Sequence, residues 1–319
     1  RRAGHATRRA MTAPSAEGPA PAPPRVDALA LLMGVGFAVM WSSAFTSAKV
    51  VVADAPPFLA LSLRFLISGL LACALAAALG QSARLSRRQW ALVIVFGVCQ
   101  NALYLGLNFL AMTRIEGGLA AIIASLLPLL VAAGAWVAFR ERPGWLGALG
   151  LALGFAGVAV VMLARLDGGT DPLGIGLCLV GALALAVATL ALRGIPTGGA
   201  VLMVVGLQML VGAAALAPVA AVFEDPAAVR LTVPLAAAFT YTTLVPGVLA
   251  TVVWFLLVRR IGATEAAAFH FLNPALGVGI AAALLGEPFG GRDLLGVGVT
   301  TVGILMVQVA RMRKARAAG

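Results

Sequence analysis

His270 and Asn273 stand three residues apart, hence on one helical face, and form the most polar patch inside any apolar run of the chain. An imidazole and a carboxamide so placed can bond each other, a neighbouring helix or a small polar solute, and both the structural and the solute-binding use remain open. Asn101, Tyr104 and Asn108 make a second polar stripe, at a three-then-four spacing, and Thr243, Gly247, Thr251 and Trp254 make a third. Trp41 and Ser42, followed by Ser43 and Thr46, add another, whereas Gln208 and Thr189 stand alone in their runs. Serine and threonine hydroxyls can bond their own helix backbone, so Asn, Gln and Tyr carry more of the signal. An enzyme would need a nucleophile with its base, a metal cluster or a phosphate loop, and no such constellation is visible. No catalytic residue, cofactor or metal is therefore expected.

These polar residues lie in a chain that is 61% hydrophobic and 11% charged, with a mean hydropathy of +1.02. That composition exceeds what one soluble core could hold, so the chain reads as an integral membrane protein. Ten apolar runs follow one another between residues 28 and 310, each close to the length of about 20 residues that spans hydrocarbon as a helix. The expected fold class is all-α, with ten transmembrane helices. Cys73, Cys99 and Cys178 fall inside these runs without ligand spacing and read as buried thiols. The net charge of +11 would suggest nucleic acid in a soluble protein; here the basic residues sit in loops and tails, so the expected partners are lipid and a small-molecule substrate, not nucleic acid.

The stretch Arg114 to Arg165 returns as Arg260 to Arg311, displaced by 146 positions without a gap. Apolar matches mean little in such a chain, but Pro128/Pro274, Glu141/Glu287, Gly150/Gly296 and Gly157/Gly303 recur as well. The break at Leu166 to Pro172 separates the copies, giving one repeat over 28–165 and another over 172–311. A proline-rich segment, 1–27, reads as a disordered tail, and 312–319 as a basic tail. Five helices per half is an odd number, so the second copy enters the membrane from the opposite side: an inverted-topology repeat around a central cavity. Seventeen of the 23 basic residues fall on the side of the two tails and five on the other, which places both termini in the cytoplasm of a multi-pass, bacterial-type inner-membrane protein.

Pro128 and Pro274 each remove a backbone donor and free the carbonyls of Ala124 and His270 four residues earlier. Paired kinks at equivalent positions are expected to act as gating pivots beside a midplane site. Arg64, two turns into its helix, must snorkel or pair: either it faces the cavity mouth as a cation able to attract a substrate carboxylate, or it forms a structural bridge to Glu116 or Asp54, the favoured expectation. Glu141 and Glu287 are expected to tie their loops to the N-terminus of the next helix, and Glu116 and Glu265 to complement a helix dipole. Gly150 and Gly154, with Gly296 and Thr300, are expected to allow close helix packing.

Trp41-Ser42-Ser43-Ala44-Phe45, Arg64, Ala111 before Arg114-Ile115, Pro128, Glu141 and the glycines after it resemble the EamA-type module of the drug/metabolite transporter superfamily. Pro274, Glu287, Gly296 and Gly303 repeat the resemblance in the second half. It covers about residues 28 to 311. The resemblance implies ten helices around a central cavity and export of small metabolites, with YddG-like aromatic amino acid exporters as one subgroup. Ala44 departs from the asparagine common in such modules, and Leu127 stands where an aromatic residue would suit a YddG-like pocket. The expected function is a secondary transporter exporting small amphipathic metabolites, foremost amino acids, by alternating access. Drug or other metabolite efflux within the same superfamily is the alternative, with a channel or a membrane enzyme further behind. Trp41, Ser42, Asn101, Tyr104, Asn108, Gln208, Thr251, Trp254, His270 and Asn273 are the expected substrate-binding residues. No Asp or Glu lies in the middle third of an expected helix, so transport is expected to run down the substrate's own gradient, with His270 as a neutral hydrogen-bonding group.

Overall fold

In hydrocarbon a chain satisfies its backbone groups by coiling, and the apolar runs do so throughout. A computed structural model describes residues 28–191, 200–261, 266 and 269–318, whose regular structure is entirely helical. The N-terminal tail therefore lies outside the described residues. The helices are α1 (Ala28–Asp54), α2 (Pro57–Ala78), α3 (Arg87–Met112), α4 (Gly117–Phe139) and α5 (Gly144–Asp167). After a short turn come α6 (Pro172–Ala191), α7 (Val201–Phe223), α8 (Val233–Thr242, continuing through Thr243–Leu249 and Ala250–Ile261), α9 (Phe269–Leu285) and α10 (Gly291–Ala318). Among the described residues nine are long and apolar enough to cross a membrane, and α9 is a shorter apolar helix. The expected all-α class with ten spans holds. The basic residues Arg313 and Lys314 continue α10.

Packing repeats with the halves. Helix α2 lies along α7 and α5 along α10, each pairing a helix with its counterpart; α1 packs on α9 and α8, as α6 packs on α4 and α3. The crossings obey the same pseudo-twofold relation. A Cβ at Gly157 would lie 2.7 Å from the Gly296 carbonyl oxygen, and a Cβ at Gly296 would lie 2.7 Å from that of Gly157. Gly150 and Gly303 face each other in the same way, so the small-residue faces meet within this chain. At the α2/α7 crossing, a Cβ on Gly69 or Gly206 would come within 3.0 Å of the other's carbonyl oxygen.

Helix ends are capped across the halves. Glu224, after α7, accepts from the N–H groups of Phe58 (2.9 Å) and Leu59 (2.7 Å) at the start of α2, and Gln81, after α2, accepts from Met203 N–H at the start of α7 (3.1 Å). Glu287, after α9, accepts from Gly117 and Gly118 at the start of α4. This corrects the expectation that Glu287 serves the next helix: the exposed N–H groups it satisfies belong to the other half.

The prolines break their helices as expected. Pro128 opens the segment Leu127–Phe139 after the turn at Ser125 and Leu126, and Pro274 opens Asn273–Leu285 after a tight 3-10 turn, Phe269–Leu272. Both segments end in left-handed backbone, at Arg140 (φ 55°) and Gly286 (φ 64°), again at equivalent positions. The cysteines are free thiols; Cys178 is buried, while Cys73 and Cys99 are only half-buried.

Candidate functional site

A cavity of about 400 Å³ lies between the halves. It is lined from α1, α2, α3, α4, α6, α7, α8 and α9, whereas α5 and α10 contribute nothing to the lining and pack on each other instead. Of the ten residues expected to face a substrate, Trp41, Asn101, Tyr104, Asn108, Gln208, Thr251, Trp254 and His270 line it. Ser42 and Asn273 do not. Ser42 Oγ donates to Asn273 Oδ1 (3.4 Å), and Asn273 Nδ2 contacts His270 Nδ1 (2.9 Å), so the pair stands behind the imidazole and fixes its ring. With Asn273 Nδ2 donating, Nδ1 accepts, and a neutral imidazole carries its proton on Nε2. Neither Pro128 nor Pro274 reaches the cavity wall, although Leu127 beside the first does.

One end of the cavity is aromatic. The rings of Phe37 and Trp254 lie 4.7 Å apart between centroids, and His270 stands 5.4 Å from each, edge-on to Phe37. Trp41 closes the group at 5.7 Å from Phe37. Helix α3 widens into π-type turns over Gly97–Leu105, and its counterpart α8 does so over Thr243–Leu249 around Pro246. Such widening is found at functional sites and kinks a helix without a loop. Within the α3 widening Asn101 Nδ2 donates to the Gln208 carbonyl (2.8 Å), and just beyond it Asn108 Nδ2 donates to the Tyr104 carbonyl (2.7 Å). The carboxamide stripe is thus largely engaged with backbone.

The bridge favoured for Arg64 is not formed. Its proposed partners are taken: Glu116 pairs with Arg165 (2.6 Å) and Asp54 with Arg230 (3.0 Å). Arg64 instead lines the cavity at 7% exposure, and its Nε has no hydrogen-bond partner. Phe37, Gln100 and Thr189 also line the cavity. Hydropathy could not single out Phe37, because a phenylalanine facing a cavity and one facing lipid read alike; Gln100, adjoining Asn101, carried a usable polar signal.

The end of the bundle holding Asp54, Glu116 and Asp167 is laced together. Arg165 bridges Glu116, Asp293 (3.1 Å) and the Pro288 carbonyl (2.8 Å). Lys49 donates to the carbonyls of Met112 and Ile115, both at 2.7 Å. Burial pushes the Glu116 carboxyl up, against the opposing pull of Arg165. The exposed Asp171 carboxyl moves the other way, held down by the hydrogen bond from Arg114.

Residues 28–163 and 172–309 each match the EamA-like transporter family. The chain is 28% identical over 284 residues to the uncharacterized transporter YvbV of Bacillus subtilis (strain 168), covering 88% of this chain and 92% of that protein. It is 26% identical over 276 residues to a WAT1-related chloroplastic protein of Arabidopsis thaliana, covering 84% and 66% respectively. A solved crystal structure, 22% identical, superposes with a TM-score of 0.66 over 89% of this chain and 98% of its own, a likeness of fold alone.

Proposed function

Because this chain belongs to the EamA-like transporter family, as a multi-pass membrane transporter of small molecules, we propose that it exports amino acids by alternating access. The carrying observation is the cavity itself: about 400 Å³ between two inverted halves, with an aromatic end, carboxamides and hydroxyls, and no acidic side chain among the described residues of its lining. Such a mixed lining suits a small amphipathic solute with an apolar body and a polar head. Trp41, Asn101, Tyr104, Asn108, Gln208, Thr251, Trp254 and His270 contact the cargo in this reading, while Ser42 and Asn273 act through His270. The breaks at Pro128 and Pro274 serve as pivots by which α4 and α9 change angle, opening the cavity to one side and then the other. The excess of basic residues in the terminal segments and same-side loops supports termini on the cytoplasmic face of an inner membrane, with export running toward the Asp167 end.

The test is a panel of labelled amino acids, each loaded into liposomes holding the full chain. Saturable loss of at least one label, above that from empty liposomes, is expected. Identical leak from both for every member would overturn the reading.

A further inference from the structure

Two buried polar atoms in the cavity wall lack a hydrogen-bond partner: Nε of Arg64 and Oε1 of Gln208. One is a donor on a fixed cation, the other an acceptor. Both are in the machinery of α2 and α7, whose register is fixed by the close approach of Gly69 and Gly206. These helices run antiparallel, so Arg64, five residues before Gly69, and Gln208, two after Gly206, lie on the same side of the crossing. Their separation along the axes is three residues, about 4.5 Å at the helical rise.

A buried donor and acceptor left unmade in a native wall call for a group that is absent from the folded chain. Among the described residues of the lining, the guanidinium is the sole Lys or Arg side chain, and no Asp or Glu joins it there. Among the described residues, no ion pair or hydrogen bond reaches it; its near neighbour is the Phe65 ring, 5.3 Å from Cζ. A forked donor array on a single cation matches the two oxygens of one carboxylate. The acceptor at Gln208 suits an ammonium. No carboxylate among the described residues of the wall pairs with that ammonium, so a cargo that carries its own carboxylate beside it fits.

We infer that Arg64 and Gln208 form a clamp for the zwitterionic head of an α-amino acid, the guanidinium taking the carboxylate and Gln208 Oε1 the ammonium. This rests on the amino-acid reading above and gives it two residues with separate roles. The aromatic group around Trp254 and Phe37 then receives the side chain of the cargo.

The experiment uses the full chain in liposomes with amino acids from the panel that leave at a saturable rate. For each, competition is measured from its primary amide, which lacks the carboxylate, and from its desamino acid, which lacks the ammonium. Both analogues are expected to compete at least tenfold more weakly than the parent. Arg64→Gln should raise KM tenfold or more, and Arg64→Lys, which keeps charge but not the fork, should raise it by less. Gln208→Leu should bring parent and desamino acid to similar KM values. The thermal unfolding temperature of unliganded Arg64→Gln should not fall, since no partner is lost. Should that variant not fold, Arg64→Lys carries the KM comparison alone. Wild-type KM in Arg64→Gln, or in Arg64→Lys if only that folds, overturns the clamp while leaving amino-acid export standing. A panel without any transported amino acid overturns both.

Discussion

Glu287 closes the first turn of a helix 170 residues earlier, its two carboxylate oxygens accepting from Gly117 N–H at 2.7 Å and Gly118 N–H at 2.8 Å. The exposed N–H groups at a helix start carry partial positive charge, and a carboxylate satisfies them better than a neutral amide. Since Glu287 belongs to the second half and α4 to the first, this contact joins the halves as much as it caps a helix. Glu287→Gln is expected to lose up to about 1.5–3 kcal/mol, the range for hydrogen bonds to a charged group, read as a lower unfolding temperature. An unchanged midpoint would show that the cap carries no stability.

The α5/α10 crossing predicts a contrast among glycines. Gly157→Ala and Gly296→Ala each drive a methyl to 2.7 Å from a facing backbone oxygen that has no side-chain freedom to yield. Both should lower the folded yield and the unfolding temperature, and by similar amounts, because the two sites are related by the pseudo-twofold. Gly298→Ala meets nothing within 4 Å and should be neutral or slightly stabilising. Equal behaviour of all three would remove the close crossing from the account.

Arg140 and Gly286 occupy equivalent left-handed positions, at φ 55° and 64°, but only glycine adopts that backbone without steric cost. Arg140→Gly is expected to stabilise by about 1 kcal/mol and Gly286→Ala to destabilise by about the same amount. Chemical denaturation of the pair of variants checks both signs at once.

Burial of Glu116 raises its carboxyl, so over the window just above the ordinary value of 4.5 the folded chain holds a proton that the unfolded chain has released. The stability this group contributes is greatest at low pH and is lost as pH rises through the folded value. The stability of the native protein relative to Glu116→Gln should therefore increase as pH falls from 7 toward 4.5. A gap that shrinks instead would mean that Arg165 outweighs burial.

The repeat was legible because Pro128/Pro274, Glu141/Glu287 and the paired glycines are types that apolar drift does not reproduce by chance, and their spacing placed the helix breaks correctly. The cavity was partly legible, since Asn, Gln and Tyr inside apolar runs must face inward. Facing inward, however, does not separate a cavity from a neighbouring helix. Ser42 and Asn273 turn to His270, and the Asn101 amide turns to the Gln208 carbonyl. The π-type widening of α3 and α8 has no sequence signature beyond Pro246 in the second. The choice between the two readings of Arg64 was not legible, because Glu116 and Asp54 have other partners that only the fold reveals: Arg165 for Glu116 and Arg230 for Asp54.

The central claim is a carrier whose cavity faces one side at a time and runs down the cargo's own gradient. Its most direct test is efflux of a labelled amino acid from liposomes with no imposed pH or sodium gradient, with and without the same unlabelled amino acid outside. The account predicts saturable efflux that outside substrate accelerates several-fold, with His270→Gln keeping much of the rate. Efflux linear in concentration and indifferent to outside substrate would contradict it, as would an absolute need for a proton gradient that His270→Gln abolishes.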